Sequence, residues 1–192
     1  MERIRFDHAE FEKLKKNILS KDHDIAISSS DRLAEIGGDE VVDFLISLLK
    51  ASEQHTRNYA ALALREIADN RALDPLLNAI FKKENHNHNQ TLVYALETLD
   101  CSNHLVEIFK ILFYESYVGK ISASKILDEQ IFSFTKQDLL TIEMMWEDCK
   151  LNPEKHFLLS EETILDIQNS VDGYLAYLQP DSPRNQNENI NP

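Results

Sequence analysis

One stretch of this chain recurs, and the recurrence restricts the fold more than any other feature. Thr56 to Lys83, TRNYAALALREIADNRALDPLLNAIFKK, reads as two short helices folded back on each other. Ala60, Ala63, Leu64, Ile67 and Ala68 fall at i, i+3, i+4, i+7 and i+8, which is one stripe of an α-helix. Ala61 and Leu62 widen that apolar face, and its small residues let a neighbouring helix approach closely. Thr56 is the expected N-cap. Asp69 and Asn70 compete for local backbone bonds and suit a turn. A second stripe follows in Leu73, Leu76, Leu77 and Ile80. Pro75 fits its first turn, where the missing N–H has no partner to lose.

The same pattern lies on either side. Ile36, Ile67, Leu99 and Leu127 hold the same place near the ends of successive first helices, 31, 32 and 28 residues apart. Leu33, Leu64 and Leu96 precede three of them by three. Val42, Leu45, Ile46 and Leu49 mark one second helix, and Leu105, Ile108, Phe109 and Leu112 mark another. A hairpin of this size cannot bury both faces alone, so a sustained period of this length marks a stack of hairpins.

These units resemble HEAT repeats, of the short bacterial type also seen in phycobilisome-lyase-like proteins. Arg57, Ala60, Ala61, Leu64, Ile67, Asp69, Ala72, Pro75 and Leu76 carry the resemblance: an Arg near the start, an Ala-rich middle, a Leu–Ile ending, an Asp turn and a Pro-Leu second helix. The match covers residues 25–83 best and extends to about 114. From 115 to 150, Gly119, Ser122 and Ser124 stand where other residues are expected. The resemblance implies an all-α fold, a right-handed α-α superhelix of about four HEAT-like hairpins. A single domain is expected over residues 1–179, with a cap helix in 1–21, another in 160–179 and a disordered tail over 180–192.

Low glycine content (four in 192 residues) and 43% apolar residues favour a helical globular chain. No apolar run is long enough to span a membrane, and Met1 to Ser20 lacks a signal-peptide core. A cytoplasmic protein is therefore the expectation. The formal net charge of −13 opposes binding to phosphate backbones, since the basic residues cluster only at Lys13, Lys15 and Lys16. It favours a basic protein partner, or serves solubility. Cys101 and Cys149 are expected to be buried free thiols, with a disulfide as the alternative.

Along the chain, Asp7–Ser20 predicts a helix with Phe11, Leu14 and Ile18 as its stripe. Ile25–Ile36 predicts the next, stopped by Gly37-Gly38, and Asp39 opens its partner. Ser28, Ser29 and Ser30 are expected to face water or to be partly packed. Glu84–Gln90 reads as a solvated loop. Its His86 and His88 suggest a metal only if further ligands join them, so no metal is assigned. Thr91 is expected to cap the third hairpin, and Gly119 to mark an early turn in the fourth. Phe109, Phe113 and Tyr114 read as core. Trp146, on a helix from about Gln137 to Lys150, reads as packing, or as a contact anchor if exposed.

No phosphate-cradling glycine loop or nucleophile elbow is present. Cys101 and His104 could form a nucleophile–base pair only with a third, orienting group, so neither catalytic residues nor a cofactor are assigned. A binding role leads. In the family resembled, the second helices line a concave face. The polar positions there are Asp39, Asp43 and Ser47, then Arg71, Asp74 and Asn78, then His104, Glu107 and Lys110, then Asp138 and Glu143. The first expectation is a non-catalytic adaptor or scaffold for a protein partner, with an immunity-type inhibitor of a basic toxin as its sharper form. The resemblance also implies alternatives, a bilin lyase or chaperone and a HEAT-like DNA glycosylase.

Overall fold

The computed structural model describes residues 7–154, 156 and 160–179; the expected tail 180–192 lies outside them, as do residues 1–6 of the first cap. Among the described residues the fold is all-α, without strands. The chain divides into two compact units, and the division falls between Asp100 and Cys101, in the turn of the third hairpin.

The first unit contains α1 (His8–Asn17), α2 (His23–Ile36), α3 (Asp39–Leu48), α4 (Gln54–Ile67), α5 (Leu73–Ile80) and α6 (Gln90–Ala95). α2, α4 and α6 form one layer of neighbours, and α3 and α5 pack on the layer from the second-helix side. This is the stacked-hairpin arrangement that the period predicts. Leu33, Leu64 and Leu96, the repeat-equivalent leucines, are each fully buried. Burying one leucine contributes about 2 kcal/mol, so these positions hold the layer together. Ala60, Ala61 and Ala63 are also buried. Their small size lets α4 lie between α2 and α6 without a gap. Ahead of the stack, α1 packs on α2, with Asp7 as its N-cap and Arg32 of α2 bonded to Glu10 at 2.7 Å.

Several local expectations need correction. α4 begins at Gln54, with Glu53 as N-cap, so Thr56 is a buried residue of the first turn and not the cap. α6 is preceded by Asn89, not capped by Thr91. Glu84–Gln90 is only partly solvated. His86 and His88 are exposed, but Asn85 and Asn89 are buried, and their amides donate to Ala79 O at 2.7 Å and Ile80 O at 3.0 Å. Two asparagines thus turn inward to close the carbonyl end of α5. Of the serine run, Ser28 is exposed, whereas Ser29 and Ser30 are buried; Ser30 Oγ donates to Tyr59 O at 2.8 Å. Gly37 and Gly38 both take positive φ, +58° and +83°, as the predicted stop requires.

The second unit contains α7 (Leu105–Tyr114), α8 (Tyr117–Glu129), α9 (Lys136–Leu151) and α10 (Glu161–Leu175). α7 packs against both α8 and α9, and α9 against α10. Its core is aromatic. Phe113 stacks on Trp146 with ring centroids 5.4 Å apart, and Phe109 meets Tyr174 edge-on at 5.3 Å. Trp146 is buried, and its indole N–H donates to Gln168 Oε1 at 2.7 Å. It is packing, not a contact anchor. Gly119 marks no turn: Ser116 caps α8, and Gly119 sits inside its first turn. A capping box of Thr135 and Asp138 starts α9. Cys101 and Cys149 are both buried and neither is in a disulfide.

Candidate functional site

The site is built around the turn that joins α4 to α5. Asp69 is extended and caps a single 3-10 turn, its carboxylate accepting from the backbone N–H of Arg71 at 3.0 Å. That bond aims the Arg71 side chain back along the turn. Its Nε donates to both Asp69 oxygens (3.0 and 3.1 Å), and Nη2 donates to Asp69 Oδ2 at 2.7 Å. The remaining reach of the guanidinium spans to the previous hairpin. Nη2 also donates to Asp39 Oδ1 at 2.9 Å, and Nη1 lies 3.5 Å from Asp43 Oδ1. Asp39 is the first residue of α3, and Asp43 is one turn further on, so both stand on one face.

One cation therefore meets three carboxylates, and the cluster keeps a formal charge of −2. The Arg71 guanidinium bonded to Asp69 holds that carboxyl below the ordinary aspartate range, and Asp69 in turn pushes the guanidinium up. Asp39 is 88% exposed and Asp43 is 71% exposed. In water these outer contacts are worth little to stability. They set the orientation of an exposed, net-negative surface.

The structure brings Asp39, Asp43 and Arg71 together and adds Asp69, which sequence reading treated only as a turn residue. The signal was present: an Asp two positions before the Arg, in a turn, is an Asx-type cap. Asp74 and Asn78 stand four apart and exposed on α5, beside the buried Leu73, Leu76 and Leu77. Ser47 is exposed on α3, its hydroxyl donating to Phe44 O at 2.6 Å.

The other predicted positions lie in the second unit. There His104 Nδ1 is 3.8 Å from Glu107 Oε2, and Lys110 is exposed. Asp138 is committed to the capping box of α9, and Glu143 is exposed. Cys101 is wholly buried, and its backbone N–H donates to Gln130 Oε1 at 2.8 Å. A thiol so enclosed is not presented to a substrate. Among the described residues, no group of three His, Cys, Asp or Glu is placed to hold a metal ion. Among them, too, no helix is long and apolar enough to cross a membrane.

Sequence reading also missed a pair on the opposite layer. Arg65 of α4 lies over the ring of Tyr94 of α6, 4.1 Å from its centroid, and Thr98 Oγ1 donates to Arg65 O at 2.8 Å. Contacts of this kind tie one repeat to the next, and single-helix periodicity does not reveal them.

No curated protein matches the chain. Residues 12–103 match the sequence profile of HEAT repeats. That span starts in α1 and covers all of α2 to α6, the stack in which the Arg71 cluster sits. By this match and by the all-α hairpin stack, residues 12–103 of the chain are HEAT repeats.

Proposed function

We propose that the chain is a non-catalytic protein-interaction module that holds a basic partner on the exposed face of α3 and α5. HEAT repeats commonly mediate protein–protein interaction, which supports the general role. The observation that favours a basic partner is the Arg71 cluster. It fixes Asp39 and Asp43 in place and still leaves excess negative charge, and Asp74 continues the acidic character onto α5. An arginine or lysine from a partner can replace Arg71 at Asp43, the longest contact of the set at 3.5 Å. Preorganised surface charge of this sort mainly speeds association and selects the partner, and salt weakens it. An inhibitor of a basic toxin is the sharper form of this reading, supported by the net charge of −13.

The test is affinity capture from the cells that encode the chain, at low and high salt, read by mass spectrometry. A basic partner should be retained at low salt, released at high salt, and reduced at least tenfold by Asp43→Lys with Asp74→Lys. Both positions are exposed, so the variant should keep its helical circular dichroism. A partner unaffected by salt and by the double reversal would overturn the assignment of this face.

A further inference from the structure

The carbonyl ends of α3 and α5 carry a cluster of cations that the acidic groups at their other ends do not explain. Lys50 lies two residues beyond α3, and Lys82 two residues beyond α5. They stand 32 residues apart, at repeat-equivalent positions. Arg57, on α4 between them, lines the same cavity of about 390 Å³, and Glu84 is the one carboxylate on its walls. The fold thus gathers cations that the sequence scatters over two hairpins.

Three cations against one carboxylate leave this lining at a formal +2, in a chain of net charge −13. Glu53 and Lys83, the charged residues next to the lining in sequence, cancel each other. Among the described residues, none of Lys50, Arg57, Lys82 and Glu84 is in an ion pair. Lys50 and Lys82 are exposed, and their places beyond helix C-termini suit the dipole there. Arg57 is different, being only 6% exposed. Its Nη1 carries both bonds to the carbonyls of Ala51 and Ser52, which are thereby turned to the guanidinium. Nε is enclosed without a hydrogen-bond partner. The guanidinium keeps donors beyond those the two carbonyls use. A buried cation that faces no carboxylate is costly, and an anion in the cavity offsets that cost.

We propose that this cavity binds a phosphoryl dianion, as inorganic phosphate or as the head of a small phosphate monoester, held by Arg57, Lys50 and Lys82. A guanidinium bonds phosphate oxygens through its fixed fork, and lysines add point charges around them. The +2 excess matches a dianion rather than a single carboxylate. The volume falls in the range of small-molecule sites, so the cavity also has room for an organic part. Because Lys50 and Lys82 belong to successive hairpins, the ligand ties one hairpin to the next. This site stands apart from the α3–α5 acidic face and does not depend on a protein partner there.

The test titrates the full chain with inorganic phosphate and with phenyl phosphate, against chloride at equal ionic strength, read by backbone amide NMR and by thermal midpoint. Saturable shifts should be confined to residues 49–57 and 82–86, and the midpoint should rise with ligand. Affinity should fall at least tenfold in Lys50→Gln with Lys82→Gln. Both lysines are exposed and outside ion pairs, so that variant should keep its helical circular dichroism. Tighter binding of phenyl phosphate would identify a monoester as the ligand, and equal affinity would identify the free anion. Shifts that do not saturate, shifts spread over lysines elsewhere, or affinity unchanged in the lysine variant would overturn the site. Asp43→Lys with Asp74→Lys should not weaken phosphate binding, so failure of either reading leaves the other standing.

Discussion

In the first unit a buried arginine closes the carbonyl end of a helical hairpin, and in the second a buried lysine does. Arg57 is the fourth residue of α4, and its Nη1 donates to Ala51 O at 2.8 Å and Ser52 O at 2.7 Å, in the link that follows α3. Lys120 is the fourth residue of α8, and its Nζ donates to two carbonyls in the last turn of α7. The two lie 63 residues apart, two repeat lengths. Asn89 falls between them, 32 after Arg57 and 31 before Lys120, with its amide on the last residue of α5. At this register in α4, before α6 and in α8, a donor thus bonds carbonyls at the end of the preceding second helix or in the link just after it. The register survives in the second unit, where the Ala-rich pattern has faded.

The two cations differ in how they tolerate burial. A guanidinium is weakly hydrated and presents a planar fork, so it loses little on leaving water. An ammonium is strongly hydrated, and burial pulls Lys120 down to about 8. The thiol of Cys149 donates to the same Phe113 carbonyl at 3.4 Å, and burial pushes it up to about 11. The second unit is therefore the one whose packing responds to alkaline pH.

Removing the arginine should break the comparison most visibly. Arg57→Ala leaves the Ala51 and Ser52 carbonyls without their charged donor and removes a buried side chain, and denaturant unfolding should show a loss of about 3 kcal/mol. Arg57→Lys should recover only part of it. A loss below about 1 kcal/mol for the alanine variant would mean that water replaces the side chain and that the closure is incidental.

The lysine is tested by pH rather than by size of loss. Its folded value, about 8, lies below the ordinary 10.5, so between those limits the unfolded chain holds a proton that the folded chain does not. Stability then rises with pH across that window, by up to about 3 kcal/mol, and the gain is lost as pH falls through 8. Cys149 acts in the opposite sense: its raised value lets the folded chain keep a proton, so its contribution is lost as pH climbs from about 9 to about 11. Lys120→Met should abolish the rise and leave only the fall. Denaturation midpoints measured from pH 7 to 11 would show it, and identical profiles for the variant and the parent would refute the assignment.

The smallest effect belongs to the neutral member of the series. Asn89→Ala removes one amide donor from Ile80 O without burying or exposing a charge. A loss of about 1–2 kcal/mol is expected, with no change in pH profile. A pH-dependent loss at this position would show that charge is not what separates the three closures.

The parts of the fold legible in the sequence are those decided within one helix. The apolar stripes, the Gly37-Gly38 stop and the place of Pro75 follow from a 3.6-residue period and from backbone stereochemistry, which act over a few residues. The candidate face was legible only as a row of polar positions. That Arg71 would gather Asp39, Asp43 and Asp69 depended on bringing residues 32 apart into contact. Thr56 and Thr91 failed as caps because each lies just inside its helix, and hydroxyl chemistry alone does not say which side of the boundary a residue occupies.

By itself the sequence determined that this chain forms helical hairpins, their period, and which face of each is apolar, because those properties are local and repeat. Tertiary structure alone decided which polar side chains turn inward. Asn85 and Asn89 read as residues of a solvated loop, and nothing local turns Arg57 or Lys120 inward, until the end of a neighbouring helix is placed against them. A helix terminus buried by its neighbours must have its carbonyls paired, and the donor that pairs them is whichever side chain the stacking brings within reach.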